Sequence, residues 1–432
     1  MRIVTVNRMG WFLAAVLMAT RVYAETGSPT ALDALVREVS ENNPELKFYE
    51  AEIVAAQGGR KAAGEWANPE LSGSLGQKRA WNKENKLTSK GRAGEFSVTQ
   101  QFEWPGRIGL RRAIADRDIE LAQLGLEQFR AVLTARTKIA AFELFSAREK
   151  AAAAREVADH FLSLREVLAQ RDQAGLTPLL ETRVIEAMEL NLQRKANEAS
   201  LAAQAALFDL NQLRGASPDA DIPIGVLNLA FRPLDKSRDA LVALVRSNNY
   251  PVRMRAIELA RQGVRVDLAK NERFPAVSVG PTLSEERAGD RERVIGASVS
   301  LPLPLWNRNQ GNIEVAGAQQ AQAKISLDVA QREAERRAIE AAVVYETKLG
   351  EMAKWKPDSI RHFKEAAELA DRHYRLGAVP VSTYLELQTQ YLETISGLLD
   401  TKKEALEAAA QLELLTATSL SLVDSAPSEE IQ

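Results

Sequence analysis

The sequence predicts an α+β fold that is mostly α-helical, in which long helices carry four strands and the whole arrangement occurs twice. Three observations support this fold class. Long proline-free segments are rich in residues that favour helices. Four shorter runs alternate between apolar and polar residues, as strands with two different faces do. Short patterns also recur at a nearly constant spacing of about 200 residues, which indicates an internal duplication.

The N-terminal segment has the features of a secretory signal peptide. Two arginines give it a positive start, residues 11–19 are apolar, and Val22 and Ala24 occupy the small-residue positions of a cleavage site. The alternative is a membrane-anchoring helix, for which the apolar run is too short. We therefore predict that residues 1–24 are removed and that the mature chain is exported.

The internal repeat defines the predicted domain organisation. Asp33-Ala34-Leu35-Val36 recurs as Asp239-Ala240-Leu241-Val242, and Asn42-Asn43 recurs as Asn248-Asn249. Later matches keep the same order along the chain, which favours duplication over chance. The predicted units are a signal peptide over 1–24, a first repeat over 25–220, a linker over 221–236, a second repeat over 237–421 and a C-terminal tail over 422–432.

Each repeat begins with two helices and ends with a pair of long ones. A Gly-x-x-Pro sequence interrupts each long pair, at Gly175 and Pro178 in the first copy and at Gly377 and Pro380 in the second. The second copy has a further interruption at Pro357, where a helix should kink or break. Helices are predicted over 31–43, 45–67, 106–175, 178–214, 237–249, 252–273, 311–377 and 380–421.

Two hairpins lie between these helices, over about 69–104 and 275–305. In 94–104, for example, Phe96, Val98 and Phe102 lie on one face and polar residues on the other. Alternation over about ten residues is what a transmembrane β-barrel strand requires. Strands are predicted over 69–79, 94–104, 275–285 and 293–305.

A single hairpin of this kind is also compatible with packing on a soluble core, and that alternative stays open for either hairpin alone. Two equivalent hairpins between long helices in an exported chain favour the membrane. Four strands are too few to close a conducting barrel, since even about eight strands give an interior filled by side chains. A pore would therefore need several copies of the chain.

Composition excludes several classes of function. A formal net charge of −2 argues against nucleic-acid binding driven by electrostatics. The absence of cysteine excludes disulfides, thiolate metal sites and cysteine nucleophiles, and three histidines are too few to indicate a multi-histidine metal centre. No nucleophile–base arrangement or phosphate-binding loop is recognisable in the sequence. We predict no enzymatic activity, no cofactor and no metal site.

Together these features resemble the TolC-type outer-membrane efflux channels. The resemblance covers about residues 30–420 and rests on the signal peptide, the duplicated helix–hairpin–helix order and the paired Gly-x-x-Pro interruptions. Within it, Phe102-Glu103-Trp104-Pro105-Gly106-Arg107 and the segment from Leu301 to Gly311 are similar to the CzcC-like branch. That branch serves heavy-metal export pumps of the resistance-nodulation-division (RND) type.

The resemblance implies a homotrimer in which each chain gives four strands to one outer-membrane β-barrel and its long helices to a periplasmic α-helical barrel. It implies a passive exit duct that works with a periplasmic adaptor (membrane fusion protein) and an inner-membrane RND pump. The implied cargo is a heavy-metal cation, of the cobalt, zinc, cadmium and nickel type or the copper and silver type. A multidrug or type I secretion channel is the alternative within the family. A periplasmic helical scaffold or adaptor without a pore is the alternative of another class.

The resemblance also implies gate residues at the periplasmic end, where the helices reverse. Aligned on the glycine of the reversal, the family's gate positions correspond to Glu181, Tyr374, Thr383 and Glu386. Thr383 departs from the family, in which an aspartate is usual at this place, whereas the other three match in character. Three copies of Glu386 near an axis would attract cations and repel anions. For Glu181 and Glu386, the alternative is an ordinary solvated helix surface.

Overall fold

The structure of the protein is a computed structural model, and it describes residues 32–172, 179–225, 227, 229–355 and 359–425. The first half contains α1 (Leu32–Asn42), α2 (Glu45–Ala63), β1 (Glu70–Trp81), β2 (Leu87–Phe102), α3 (Arg107–Asp172) and α4 (Leu179–Arg214). The second half contains β3 (Leu229–Phe231), α5 (Arg238–Asn248), α6 (Tyr250–Asn271), β4 (Val277–Ala288), β5 (Asp290–Ser300), α7 (Gln310–Met352), α8 (Ser359–Arg375), α9 (Val381–Thr416) and β6 (Val423–Ser425).

The mostly helical α+β class is confirmed, and the predicted helices are present with ends that differ by a few residues. One strand is shorter than predicted, because β5 ends at Ser300 and the expected continuation to 305 contains Pro302 and Pro304. Proline has no N–H to give to a strand ladder. The signal peptide, the Gly175–Pro178 reversal and the break at Pro357 lie outside the described residues.

The two hairpins form one four-stranded antiparallel sheet in the order β1-β2-β4-β5. The halves of the chain meet where β2 pairs with β4, with Phe96 opposite Leu283. Residues that lie directly opposite each other on neighbouring strands share a face. One face, here called the apolar face, carries the exposed side chains of Leu71, Leu75, Phe96, Leu283, Ile295 and Val299.

The other face of the sheet is mostly polar. Ser72, Ser97 and Thr282 lie side by side there, and the hydroxyl oxygens of the two serines are 2.7 Å apart. In the single chain, β1 and β5 are the two edges of the sheet. The sheet therefore separates an apolar surface from a polar one and leaves two strand edges with unpaired backbone groups.

The helices pack lengthwise beside α3, which contacts α2, α4, α6 and α9. Phe142 and Phe161 of α3, Ile185 of α4 and Tyr384 of α9 are among the fully buried side chains. Alanines line much of the contact between α7 and α9, which allows close approach of the helix backbones. Among the described residues, none of the helices is both long enough and apolar enough to cross a membrane.

Two asparagines at equivalent places close each half of the chain. Asn43 Nδ2 donates to the Leu213 carbonyl oxygen (2.8 Å), and Asn249 Nδ2 donates to that of Leu415 (2.9 Å). Both asparagines are almost fully buried, at 4% and 1% exposed. Each also accepts a backbone N–H from the start of the following helix. The asparagine pairs that repeat in the sequence therefore tie the short helices to the ends of α4 and α9.

A small second sheet, which the sequence did not predict, joins the inter-repeat segment to the end of the chain. It consists of β3 and β6, paired antiparallel. The Tyr345 hydroxyl lies under it, 2.6 Å from the Arg232 carbonyl oxygen and 3.0 Å from that of Leu422, and donates to them. Burial raises the pKa of Tyr345 to about 12. The predicted linker and tail are thus held on the helices by a buried, neutral tyrosine.

Candidate functional site

The junction between sheet and helices is held by Arg107, at the first turn of α3. Its Nε donates to Asn271 Oδ1 (3.1 Å), and its Nη2 donates to the backbone carbonyls of Asn271 and Phe274. Asn271 Nδ2 in turn donates to the Pro105 carbonyl oxygen (3.0 Å). Trp104 stacks on Phe274 with ring centroids 4.6 Å apart. The segment around Arg107 that resembles the CzcC-like branch therefore connects the first half of the chain to the second by hydrogen bonds and ring stacking.

Replacing Arg107 with alanine is expected to lower the thermal unfolding midpoint of the protein. Hydrogen bonds from a charged donor contribute about 1.5–3 kcal/mol each, and three acceptors lose their partner, so we expect a loss of about 2 kcal/mol or more. Arg107→Lys keeps the positive charge but lacks the forked guanidinium donor, so its unfolding midpoint should lie between those of the parent and of Arg107→Ala. The midpoint is measured by circular dichroism in detergent. An Arg107→Ala protein that unfolds at the parent temperature would contradict this role.

The reversal between α8 and α9, over 376–380, follows from one glycine and one proline. Gly377 has φ +71°, in the left-handed region that favours glycine. The Gly377 N–H donates to the Tyr374 carbonyl (2.9 Å) and the Ala378 N–H to that of His373 (2.8 Å), which is the Schellman ending of a helix. Pro380, with extended backbone, then precedes α9. The chain therefore ends α8 and begins α9 across the segment that contains Gly377 and Pro380.

Three aromatic rings stack behind this reversal. Tyr374 of α8 lies on Tyr384 of α9 with centroids 5.2 Å apart and planes within 9° of parallel. Tyr384 also lies on Phe161 of α3, at 5.0 Å. Tyr384 and Phe161 are 0% exposed and Tyr374 is 7% exposed. The stack therefore fastens the α8–α9 corner to the long helix of the first half.

The polar end of this stack is held away from water. The Tyr384 hydroxyl and Asp371 Oδ1 are both buried, and the two groups lie close together without forming a well-aligned hydrogen bond. Asp371 Oδ2 accepts from Arg375 Nε (2.8 Å). Burial, and then the negative charge of Asp371, raise the pKa of Tyr384 well above its usual range. Tyr384 is therefore neutral at every physiological pH.

The predicted gate residues occupy three different environments. Tyr374 points into the core, as part of the aromatic stack. Thr383 and Glu386 are exposed on the first turns of α9, and Glu386 accepts from its own helix neighbour Gln390 (3.0 Å). Glu181 is half-buried in the first turn of α4. The structure therefore brings Thr383 and Glu386 to one surface, and the gate roles stay predictions.

A sequence model of the family described as outer membrane efflux protein matches residues 35–216 and 241–418. These ranges take in both long-helix regions and both hairpins.

The chain belongs to the outer membrane efflux protein family.

Two relatives of this efflux protein carry names from heavy-metal resistance. It is 26% identical over 296 residues to the cobalt-zinc-cadmium resistance protein CzcC of Cupriavidus metallidurans, covering 67% of this chain and 66% of that protein. It is 25% identical over 333 residues to the nickel-cobalt-cadmium resistance protein NccC of Alcaligenes xylosoxydans xylosoxydans, covering 74% of this chain and 71% of that one. The match spans just under two thirds of CzcC's own length.

The fold is also that of a solved channel. The Campylobacter jejuni CmeC outer membrane channel superposes with a TM-score of 0.73 at 17% identity, covering 98% of this chain and 95% of that one. The predicted membership of the efflux channel family is confirmed. Family and fold are those of efflux channels, which are not enzymes, and they support an outer-membrane location. Within the described ranges, no three acidic or histidine side chains lie together as a metal site.

The most constrained residues of the efflux protein's reversal were missed by sequence reasoning. Tyr384 and Asp371 were not singled out, although Tyr384 is completely buried and carries the stack. The sequence did contain a signal, because Tyr374 and Tyr384 flank the Gly-x-x-Pro interruption and Asp371 precedes Arg375 by one helical turn. These spacings do not show which of the side chains are buried in the core.

Proposed function

We propose that this protein is the outer-membrane channel component of a tripartite RND-type efflux system and a passive exit duct for heavy-metal cations. The observation that carries the proposal is the four-stranded sheet, which has one apolar and one polar face and stands at the end of a bundle of long helices. Strands of 11 to 16 residues are long enough to cross a bilayer, which takes about 9–11 residues when tilted.

A homotrimer accounts for the two open edges of this sheet. Unpaired strand edges cannot face lipid, because their N–H and C=O groups would have no partner there. Pairing β5 of one chain with β1 of the next satisfies both edges and closes a ring. Three copies would give about twelve strands, wide enough to keep a lumen where four strands are not. The polar face then lines the lumen and the apolar face meets lipid.

The internal repeat means that each protomer contributes two similar hairpins to this ring. It is supported by the parallel order of elements in the two halves and by the two ranges that the family model matches. It is also supported by the equivalent contacts of Asn43 and Asn249. We propose the boundaries 25–220 and 237–421 for the two repeats.

The cargo assignment is supported by what the relatives are named for, which is resistance to cobalt, zinc, cadmium and nickel. A duct must release what it carries, so weak attraction by exposed carboxylates such as Glu386 suits this role better than tight coordination. Selection among metals would then belong to the inner-membrane pump, and the adaptor would join the two.

Assembly and conduction are tested with the purified full-length protein. We expect heat-modifiable trimers in the outer-membrane fraction and discrete openings in planar bilayers. Recovery as a monomer in the soluble periplasmic fraction, with no conductance, would instead support a helical scaffold.

The cargo is tested by screening a deletion strain against zinc, cobalt, cadmium, nickel, copper and antibiotics. A phenotype with antibiotics alone would refute the metal assignment.

Replacing Glu386 with glutamine is expected to reduce the cation preference of the open channel and its block by divalent cations. The trimer would lose three negative charges at one level of the lumen, so the cation-to-anion permeability ratio should fall several-fold. Reversal potentials in a salt gradient measure this ratio. Glu393→Gln, two turns further along α9, serves as the matched control and should change it less. Unchanged selectivity in Glu386→Gln removes this residue from the gate.

A further inference from the structure

The sheet changes character along its length, as its cross-strand register shows. Near the helices, the rows of the apolar face are apolar, and one such row runs through Gly73, Phe96, Leu283 and Ile295. Two rows further, towards the hairpin turns, the row consists of Gln77, Arg92, Arg287 and Arg291. The next pair is Arg79 opposite Lys90. The apolar face therefore passes directly into a band of cations.

This band, here called the cationic patch, consists of Arg79, Lys90, Arg92, Arg287, Arg291 and Arg293. All six side chains belong to exposed residues. Glu285 is the single carboxylate among the paired residues at this end of the face, and it accepts from Arg291 (2.7 Å) and Arg293 (3.0 Å). Arg79, Lys90 and Arg92 make no ion pair within the described part of the chain. Six cations thus share one anion.

Such an arrangement is unfavourable for the sheet alone. Arg92 lies directly opposite Arg287, and Arg287 lies directly opposite Arg291. Like charges placed directly opposite each other on neighbouring strands destabilise a sheet. An anion bound across these rows would remove the repulsion, and guanidinium groups are especially suited to phosphate because they offer two parallel donors.

The opposite face at the same height has the reverse balance. Lys78 lies there in ion pairs with Glu286 and Glu292, and Glu95 and Asp290 lie on the same side. The excess of positive charge is therefore confined to one face of the sheet and is not a general property of its exposed end. It is the face that carries the apolar rows.

From these observations we infer that the cationic patch binds the phosphate groups of anionic lipids in the leaflet around the barrel. The inference rests on the proposed function, because it requires the apolar face to meet lipid. A lipid whose chains lie against the Phe96–Leu283 row carries its headgroup at the height of the arginine row. Surface cations attract anionic headgroups, and cations grouped on one face add to this attraction. The patch would anchor the barrel at a fixed depth.

The test titrates the purified trimer in neutral detergent with lipid A that carries both phosphates, with dephosphorylated lipid A and with inorganic phosphate alone, and follows binding by native mass spectrometry. We expect the phosphorylated lipid to bind more tightly than either of the others. The Arg92→Gln/Arg287→Gln double variant should weaken that binding about tenfold or more, since two headgroup attractions are lost. Lys78→Gln, a cation at the same height on the opposite face, should leave it unchanged.

Equal binding of the two lipid forms, or binding of inorganic phosphate as tight as that of the lipid, overturns the inference. So does an unchanged affinity in the double variant. The single replacement Arg79→Gln provides a second measurement in case the double variant does not assemble. Arg79 belongs to the cationic patch and is exposed on β1, so this replacement should also weaken lipid binding. Conductance distinguishes the two proposals. A trimer that conducts but shows no preference for phosphorylated lipid contradicts only this inference. A monomer that does not conduct contradicts the proposed function.

Discussion

Replacing Tyr384 with alanine is expected to destabilise the helical region by about 3–5 kcal/mol. The ring is completely buried and lies between Tyr374 of α8 and Phe161 of α3. Alanine would leave a cavity that two facing rings cannot fill, because both are held by their own helices. Thermal unfolding followed by circular dichroism, together with limited proteolysis near the 376–380 reversal, measures the effect.

Tyr384→Phe is the matched control, and we expect it to be neutral or slightly stabilising. It keeps both ring contacts and removes a buried hydroxyl that lies beside the Asp371 carboxylate without forming a well-aligned hydrogen bond. A buried polar group without a partner costs about 1–3 kcal/mol. If phenylalanine destabilised the protein as much as alanine, the hydroxyl rather than the stack would be the important group, and our interpretation of the corner would be wrong.

Replacing Gly280 with alanine is expected to disrupt the sheet at the seam between the two halves of the chain. A Cβ at this position would lie 1.8 Å from the Val98 carbonyl oxygen, which is far inside contact distance. The obstacle is backbone, so β2 and β4 would have to separate. Overpacking typically costs about 1–3 kcal/mol, and we expect a larger cost here because backbone atoms must move. We also expect the proposed heat-modifiable trimer to be lost from the outer-membrane fraction.

Gly76→Ala provides the comparison for this experiment. Gly76 also lies in a strand of the sheet, but nothing lies within 4 Å of the position that its Cβ would take. Gel mobility of heated and unheated samples reports assembly in both variants. We expect Gly76→Ala to form the proposed trimer to the same extent as the parent. If Gly280→Ala does the same, β2 and β4 do not meet as closely in the assembled protein as they do in the single chain.

Periodicity predicted the elements well because they are long and uniform. The alternation in 94–104 placed Phe96 and Val98 on one face, and β2 shows them there. Composition alone predicted α3, whose 66 residues contain no proline. The three-residue strands β3 and β6 were missed, because a run that short has no period to detect.

The candidate site was predictable only in its backbone. Gly377 and Pro380 mark a reversal by their own conformational preferences, and the structure has it there. Side-chain contacts between segments that are distant in the sequence could not be predicted in this way. Nothing local to Tyr384 indicates that Phe161, on another helix, will cover it. The motif around Arg107 is visible in the sequence, but the partner of Arg107, Asn271, lies on α6 in the other half of the chain. Its role in joining the two halves is therefore shown by the structure alone.

The pairing of β2 with β4 also sets the order in which the chain can fold after export. The helices of the first half close on themselves once Leu213 has emerged, since Asn43 reaches it across 170 residues. The inner edge of the first hairpin has no partner until β4 follows, most of a repeat later. During that interval β2 is an exposed, half-apolar edge, the kind that aggregates. A chain that stops before β4 would therefore keep this edge unpaired and is expected to aggregate.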